Sequence, residues 1–129
     1  MEFKDDISHV FVIDDDEFLL LAIKKTLESE GYKITISDNV HDAYFKLHVI
    51  KPDLILLDII MPDINGLEFM SLIKSQYQML DVPIILMSYL DKKELLKMGH
   101  DINDANYLTK PLNLKTLPLK LQHLHLSVK

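Results

Sequence analysis

The stretch that most constrains this chain runs from Pro52 to Gly66, Pro-Asp-Leu-Ile-Leu-Leu-Asp-Ile-Ile-Met-Pro-Asp-Ile-Asn-Gly. After the proline it is apolar from Leu54 to Leu57 and is then broken by Asp58. A short continuous apolar run edged by proline and glycine reads as a strand covered on both faces, as inside a parallel sheet. Asp58 sits where that strand ends. Ligands of open α/β sheets collect outside the carboxyl ends of the strands. A carboxylate at the mouth of an apolar strand is costly unless a cation or a hydrogen-bond donor meets it.

The other segments fall into the same rhythm. His9 to Ile13 is a β-branched apolar run, followed at once by Asp14, Asp15, Asp16 and Glu17. Acids at a helix start complement the macrodipole. That accounts for Asp16 and Glu17, and less well for Asp14 and Asp15, which follow the strand directly. The spacing predicts a helix over Phe18 to Ser29 stopped by Gly31. A shorter strand around Ile34 and Ile36 belongs nearer the sheet edge. Asn39 caps a second helix, which Lys51-Pro52 closes. Met61 to Gly66 is a loop rich in turn formers, and Leu67 to about Gln76 a third helix. Pro83 to Met87 is a strand ending at Ser88. Asp91 caps a helix reaching about Met98, and Asn106 to Thr109 is a last strand ending in Lys110-Pro111. A final helix lies within Leu114 to Val128. Pro118 would break a helix interior, so this helix is expected to begin near Thr116 or Leu117 with the proline in its first turn. Strands alternating with helices imply right-handed βαβ crossovers, a parallel sheet and helices on both faces. The fold class is therefore α/β, a three-layer (βα)5 doubly wound sheet, in one domain over residues 1–129.

Composition removes several function classes. The chain has 129 residues, 48% of them hydrophobic and 26% charged, enough for a real core. A net charge of −6 argues against a nucleic-acid grip by this domain. There is no cysteine, which excludes disulfides, thiolate nucleophiles and Cys-ligated zinc. The N-terminal residues form no apolar signal region, and no apolar run approaches the ~20 residues of a membrane span. A cytoplasmic protein is expected.

In a parallel sheet all strands end at one edge. That edge receives Asp14 and Asp15, Asp58, Ser88 and Lys110. Carboxylates from two strand ends make a hard oxygen site, better suited to Mg²⁺ than to Ca²⁺ or zinc. An aspartate can act as a nucleophile and form an acyl phosphate. A transferring phosphoryl group carries charge on three oxygens. A metal ion, the Ser88 hydroxyl and the Lys110 ammonium can each take one. No strong general base accompanies the set, which fits accepting a phosphoryl group more than fast turnover.

These residues resemble the response-regulator receiver family, close to the single-domain chemotaxis type. The likeness rests on four motifs in order: Asp14-Asp15 after Phe-Val-Ile, Asp58 to Gly66, Ser88 after Ile-Ile-Leu-Met, and Tyr107-Leu-Thr-Lys110-Pro111. It covers about residues 7 to 126. It implies a flavodoxin-like fold with strand order 2-1-3-4-5 and Asp58 as phosphoacceptor. It also implies Mg²⁺ on Asp15, Asp58 and the backbone carbonyl of Ile60, with Asp14 acting partly through water. Ser88 would follow the phosphoryl group, Tyr107 would be an aromatic switch turning inward with it, and Lys110-Pro111 would be cis.

The chain departs from the family pattern at several positions. Ile60 is apolar where many members are polar, Tyr89 is large where Ala or Gly is usual, and Leu90 cannot position water. Surface variation is one reading. A site shielded from hydrolytic water and bulky donors is the other, with a long-lived phosphoryl group and slow labelling by small donors. Asn103 takes the place of a glycine before the last strand, and Gly99 can end the fourth helix early. The apolar residues Leu117, Leu119, Leu121, Leu124, Leu126 and Val128 exceed one buried stripe. They fit core packing with a frayed end, or a partner or homodimer surface on helix four, strand five and helix five. The six histidines show no metal spacing. The expected partners are a sensor histidine kinase or histidine phosphotransfer protein, and a downstream protein, unless the chain is a piece of a longer regulator. The competing functions are an Mg²⁺-dependent phosphohydrolase and a phosphorylation-independent binding module. Ile60, where a hydrolase needs a second carboxylate, speaks against the first. The full set of acids, Ser88 and Lys110 speaks against the second.

Overall fold

The run from Leu54 to Asp58 forms the middle strand of a parallel sheet and is buried at every position. The structure, a computed structural model, describes residues 8–62, 64–76, 81–99 and 107–128. Among these residues the strands are β1 (His9–Ile13), β2 (Lys33–Ser37), β3 (Leu54–Asp58), β4 (Ile84–Ser88) and β5 (Tyr107–Thr109). They alternate with α1 (Glu17–Glu28), α2 (Val40–Leu47), α3 (Gly66–Ser75), α4 (Lys92–Lys97) and α5 (Leu117–Val128). The sheet order is β2-β1-β3-β4-β5 and every pair is parallel. This is the expected flavodoxin-like topology, with β2 at an edge; β2 is not the shorter strand expected, however, since it has five residues like β1, β3 and β4, and β5 has three.

Alternation along the strands divides the core into two layers. Phe11, Ile13, Ile55, Leu57, Ile84 and Leu86 pack against α2, α3 and α4 through Val40, Ala43, Leu47, Phe69, Ile73 and Leu95. Val10, Val12, Leu54, Leu56, Ile85 and Met87 pack against α1 and α5 through Leu20, Ile23, Leu27, Leu117 and Leu121. At about 25 cal/mol per Å² of apolar surface removed from water, these layers supply the main folding drive.

Helix ends follow local chemistry. Asp16, Asn39, Asn65 and Asp91 each accept a backbone N–H of the first turn, capping α1 to α4. Gly31 (φ 94°) and Gly99 (φ 89°) take the left-handed conformation just past α1 and α4. Pro118 lies in the first turn of α5, as its missing N–H requires.

Several boundaries shift by a residue, among them those of α1, α3 and β4, and one differs by more. Lys51-Pro52 does not close α2, which ends at Leu47 with His48 as its cap. The next residues form a looser turn in which the N–H groups of both Val49 and Ile50 donate to the Lys46 carbonyl. This turn lets Ile50 pack against the core while Val49 stays exposed. Asn103, the start of the last strand at Asn106, and the side chains of Leu124, Leu126 and Val128 lie outside the described residues. Leu119 is exposed, whereas Leu117 and Leu121 are buried.

Candidate functional site

Asp14, Asp58 and Lys110 share one alternation phase. Val12 and Leu56 are opposed across β1 and β3, and Asp14 and Asp58 each lie two residues further on. Lys110 lies two residues beyond Leu108, which faces the same layer. The phase that buries valine and leucine lower down thus delivers two carboxylates and an ammonium to the strand tips. All three are buried, and Asp15 beside them is exposed.

The Lys110 Nζ lies 2.5 Å from Asp14 Oδ2 and 3.5 Å from Asp58 Oδ2. Asp14 is fixed from two sides. Its N–H donates to the Ser37 carbonyl at 3.1 Å, extending the ladder by one residue, and its Oδ1 accepts the Asp16 N–H at 2.9 Å. Asp14 Oδ2 is buried and makes no aligned hydrogen bond, only the ion pair with Lys110. Asp58 Oδ1 accepts the Ile60 N–H at 3.3 Å. Burial pushes the Asp58 carboxyl up to about 7, and the neighbouring Asp14 charge adds to the rise while Lys110 opposes it. Burial alone would lower the Lys110 ammonium, but the two carboxylates outweigh it and raise it.

One ligand oxygen each from Asp14, Asp15 and Asp58 can lie within 4.8 Å of the others. Three hard oxygens, one of them buried and short of a hydrogen bond, and one carboxyl group raised by its neighbours form a set that a small divalent cation would relieve. The donor chemistry fits Mg²⁺, which keeps several waters and uses few carboxylates.

Ser88 and Tyr107 belong to the other phase. Tyr107 pairs with Leu86 across β4 and β5, and Ser88 with Thr109. The Ser88 Oγ accepts the Leu90 N–H at 3.0 Å, which leaves its own proton available to a further acceptor. The Ser88 carbonyl accepts the Lys110 N–H at 2.8 Å and is approached by the Tyr107 hydroxyl at 3.5 Å. The Tyr107 ring is already buried, so no swing from solvent is needed to reach the inward position. The Lys110-Pro111 bond is cis. The Ile60 side chain is half exposed beside the acids.

Two features escape reasoning from sequence. Gly66 packs so closely on β3 that a Cβ there would lie 2.2 Å from the Asp58 carbonyl oxygen, and its N–H donates to the Ile59 carbonyl at 2.5 Å. Its place at the end of the Asp58 motif was the only signal. The second is Tyr89, whose ring centroid lies 5.4 Å from the Lys110 Nζ. The size of Tyr89 could be noticed in the sequence; its contact with the lysine could not.

Comparison with known proteins matches residues 10–122 to the response regulator receiver domain model. Over 115 residues the chain is 33% identical to the transcriptional regulatory protein KdpE of Staphylococcus aureus, covering 89% of this chain and 48% of that protein. It is also 33% identical over 113 residues to the nisin biosynthesis regulatory protein NisR of Lactococcus lactis, covering 88% and 48%. The chain thus spans about half the length of these curated relatives. Among solved structures, the chemotaxis response regulator CheY4 of Vibrio cholerae superimposes with a TM-score of 0.78 at 26% identity, covering 92% of this chain and 99% of that one. The receiver domain of the Francisella response regulator 1452 gives a TM-score of 0.75 at 30% identity, covering 95% and 99%.

Proposed function

The chain belongs to the response regulator receiver domain family of two-component signalling, and we propose that within it Asp58 is the residue that accepts the phosphoryl group. The convergence of Asp14, Asp15, Asp58 and Lys110 in one largely buried pocket at the strand tips is the observation that carries this reading.

The donor is the phosphohistidine of a sensor histidine kinase or phosphotransfer protein. An Asp58 carboxylate oxygen attacks phosphorus, a P–O bond forms, the P–N bond breaks, and the electron pair returns to the imidazole. Asp14, Asp15, Asp58 and the Ile60 backbone carbonyl would hold Mg²⁺, whose chemistry is charge neutralisation and alignment of the phosphoryl oxygens. Lys110 moves the short distance from Asp14 to a phosphoryl oxygen. The Ser88 hydroxyl donates its free proton to another. Because the Tyr107 ring is already inward, its switch role is a tightening or loosening of its contact with the Ser88 carbonyl. A gap of a few kcal/mol between two such arrangements is enough for a switch.

The signal leaves by protein contact or homodimerisation through α4, β5 and α5, where Leu96, Met98 and Leu119 are exposed. No described helix is long and apolar enough to cross a membrane, and a cytoplasmic setting is part of this reading. The test is intact-mass spectrometry after incubation with candidate histidine kinases and Mg²⁺. The native chain should gain one phosphoryl group and Asp58→Ala none. Labelling of Asp58→Ala to the same extent, or steady hydrolysis of small phosphoesters by the native chain, would overturn it.

A further inference from the structure

Lys110 is buried at the strand tips, and besides the carboxylates its ammonium meets the Tyr89 ring. Tyr89 itself is 68% exposed, far too open to be there for core packing. An aromatic face within about 6 Å of an ammonium attracts it through the ring quadrupole. Here the separation is 5.4 Å, and the other neighbours of the ammonium are Asp14 and Asp58. The backbone around Tyr89 is anchored by the residue before it. Ser88 accepts the Leu90 N–H on its hydroxyl and the Lys110 N–H on its carbonyl, so the Tyr89 loop and the lysine hang from one point.

We propose that Tyr89 is a positioning residue whose ring face caps the Lys110 ammonium, keeping water off that side and holding it within reach of the phosphoacceptor Asp58. This rests on the phosphoacceptor role of Asp58. An ammonium enclosed by two carboxylates and a ring has already lost most of its hydration. An incoming dianion then meets a cation that needs little desolvation, and charges held in a water-excluded site act most strongly. The quadrupole, and not the size of the side chain, is the operative property. The phenol hydroxyl has no part in it.

The experiment compares Tyr89→Phe, which keeps the ring, with Tyr89→Leu, which keeps apolar bulk without it. Two quantities are read in each. The first is affinity for beryllofluoride, a stand-in for the phosphoryl group, in the presence of Mg²⁺. The second is the position of the Lys110 ε-methylene resonances without ligand, assigned by their absence in Lys110→Arg. Tyr89→Phe should bind within about twofold of the native chain and keep the upfield ring-current shift of the lysine. Tyr89→Leu should lose that shift and bind roughly three- to tenfold more weakly. Native affinity in Tyr89→Leu, or equal weakening in both variants, would overturn the proposal. If the native chain binds no beryllofluoride, the phosphoacceptor reading fails. The lysine shift then decides the contact alone: present in the native chain and Tyr89→Phe and lost in Tyr89→Leu, it stands; unchanged in Tyr89→Leu, it falls.

Discussion

Asp58 carries a folding penalty that its site can use. Its carboxyl titrates near 7, against an ordinary value of 3.8. Between roughly pH 4 and 7 the native chain keeps a proton that the unfolded chain has lost, so this group makes stability fall as pH rises through that window. In the absence of divalent cations, Asp58→Asn should flatten the slope and be more stable than the native chain at pH 7.5, on the order of 2 kcal/mol. Urea unfolding from pH 4.5 to 8 in chelator measures both quantities, and identical slopes would remove the carboxylate repulsion from the account. Lys110 is the counterpart. Its removal leaves Asp14 Oδ2 buried beside Asp58 with no cation. Lys110→Ala should therefore lose about 3–5 kcal/mol at pH 7.5, the usual loss when one partner of a buried pair is deleted. The loss should be smaller at pH 5, where Asp58 is protonated. The acids and the lysine were legible in the sequence because each follows the end of an expected strand. The Tyr89–Lys110 contact was not, because it depends on side-chain directions across two separate loops.

At the scale of elements, strand phase decides who meets whom. Asp14, Asp58 and Lys110 continue the α1–α5 phase, whereas Ser88 and Tyr107 continue the opposite one. The charge cluster thus shares its layer with α1 and α5, and the hydroxyls of Ser88 and Tyr107 lie on the layer of α2, α3 and α4. The turn from β3 into α3 is as tightly defined. A Cβ on Gly66 would meet the Asp58 backbone at 2.2 Å, so the turn must shift to accept one. Gly66→Ala should lower stability by about 1–3 kcal/mol and weaken Mg²⁺ binding, measured by thermal unfolding with and without the ion. A variant with native stability and native ion affinity would show that the turn yields freely. Strand positions were readable from β-branched runs and caps from Asn39 and Asp91, since these are local preferences, whereas the Asn65 cap came only with the structure. The end of α2 was misjudged because Ile50 leaves the helix to reach the core, a tertiary demand that no local pattern carries. The Gly66 contact joins residues eight apart around a loop, so spacing alone says only that glycine belongs there.

For the whole molecule, three acids at one point would be relieved by a divalent cation, which the proposed function includes. Binding to the native chain alone stabilises it by mass action, about 2.7 kcal/mol at a concentration one hundred times Kd. Mg²⁺ should thus raise the unfolding temperature at pH 7.5, and Asp58→Ala should lose most of that rise. The strand order and parallel register, legible from the strand–helix rhythm and the family likeness, are what gather residues as far apart as Asp14 and Lys110 at one edge. The central claim is that this edge delivers a phosphoryl group to Asp58 and to no other carboxylate. The most direct measurement is residue-level mapping: label the chain with a histidine kinase and Mg²⁺, reduce the acyl phosphate with borohydride, and locate the resulting homoserine by peptide mass spectrometry. The account predicts homoserine at position 58 alone; homoserine at position 14 or 15, or at none, would contradict it.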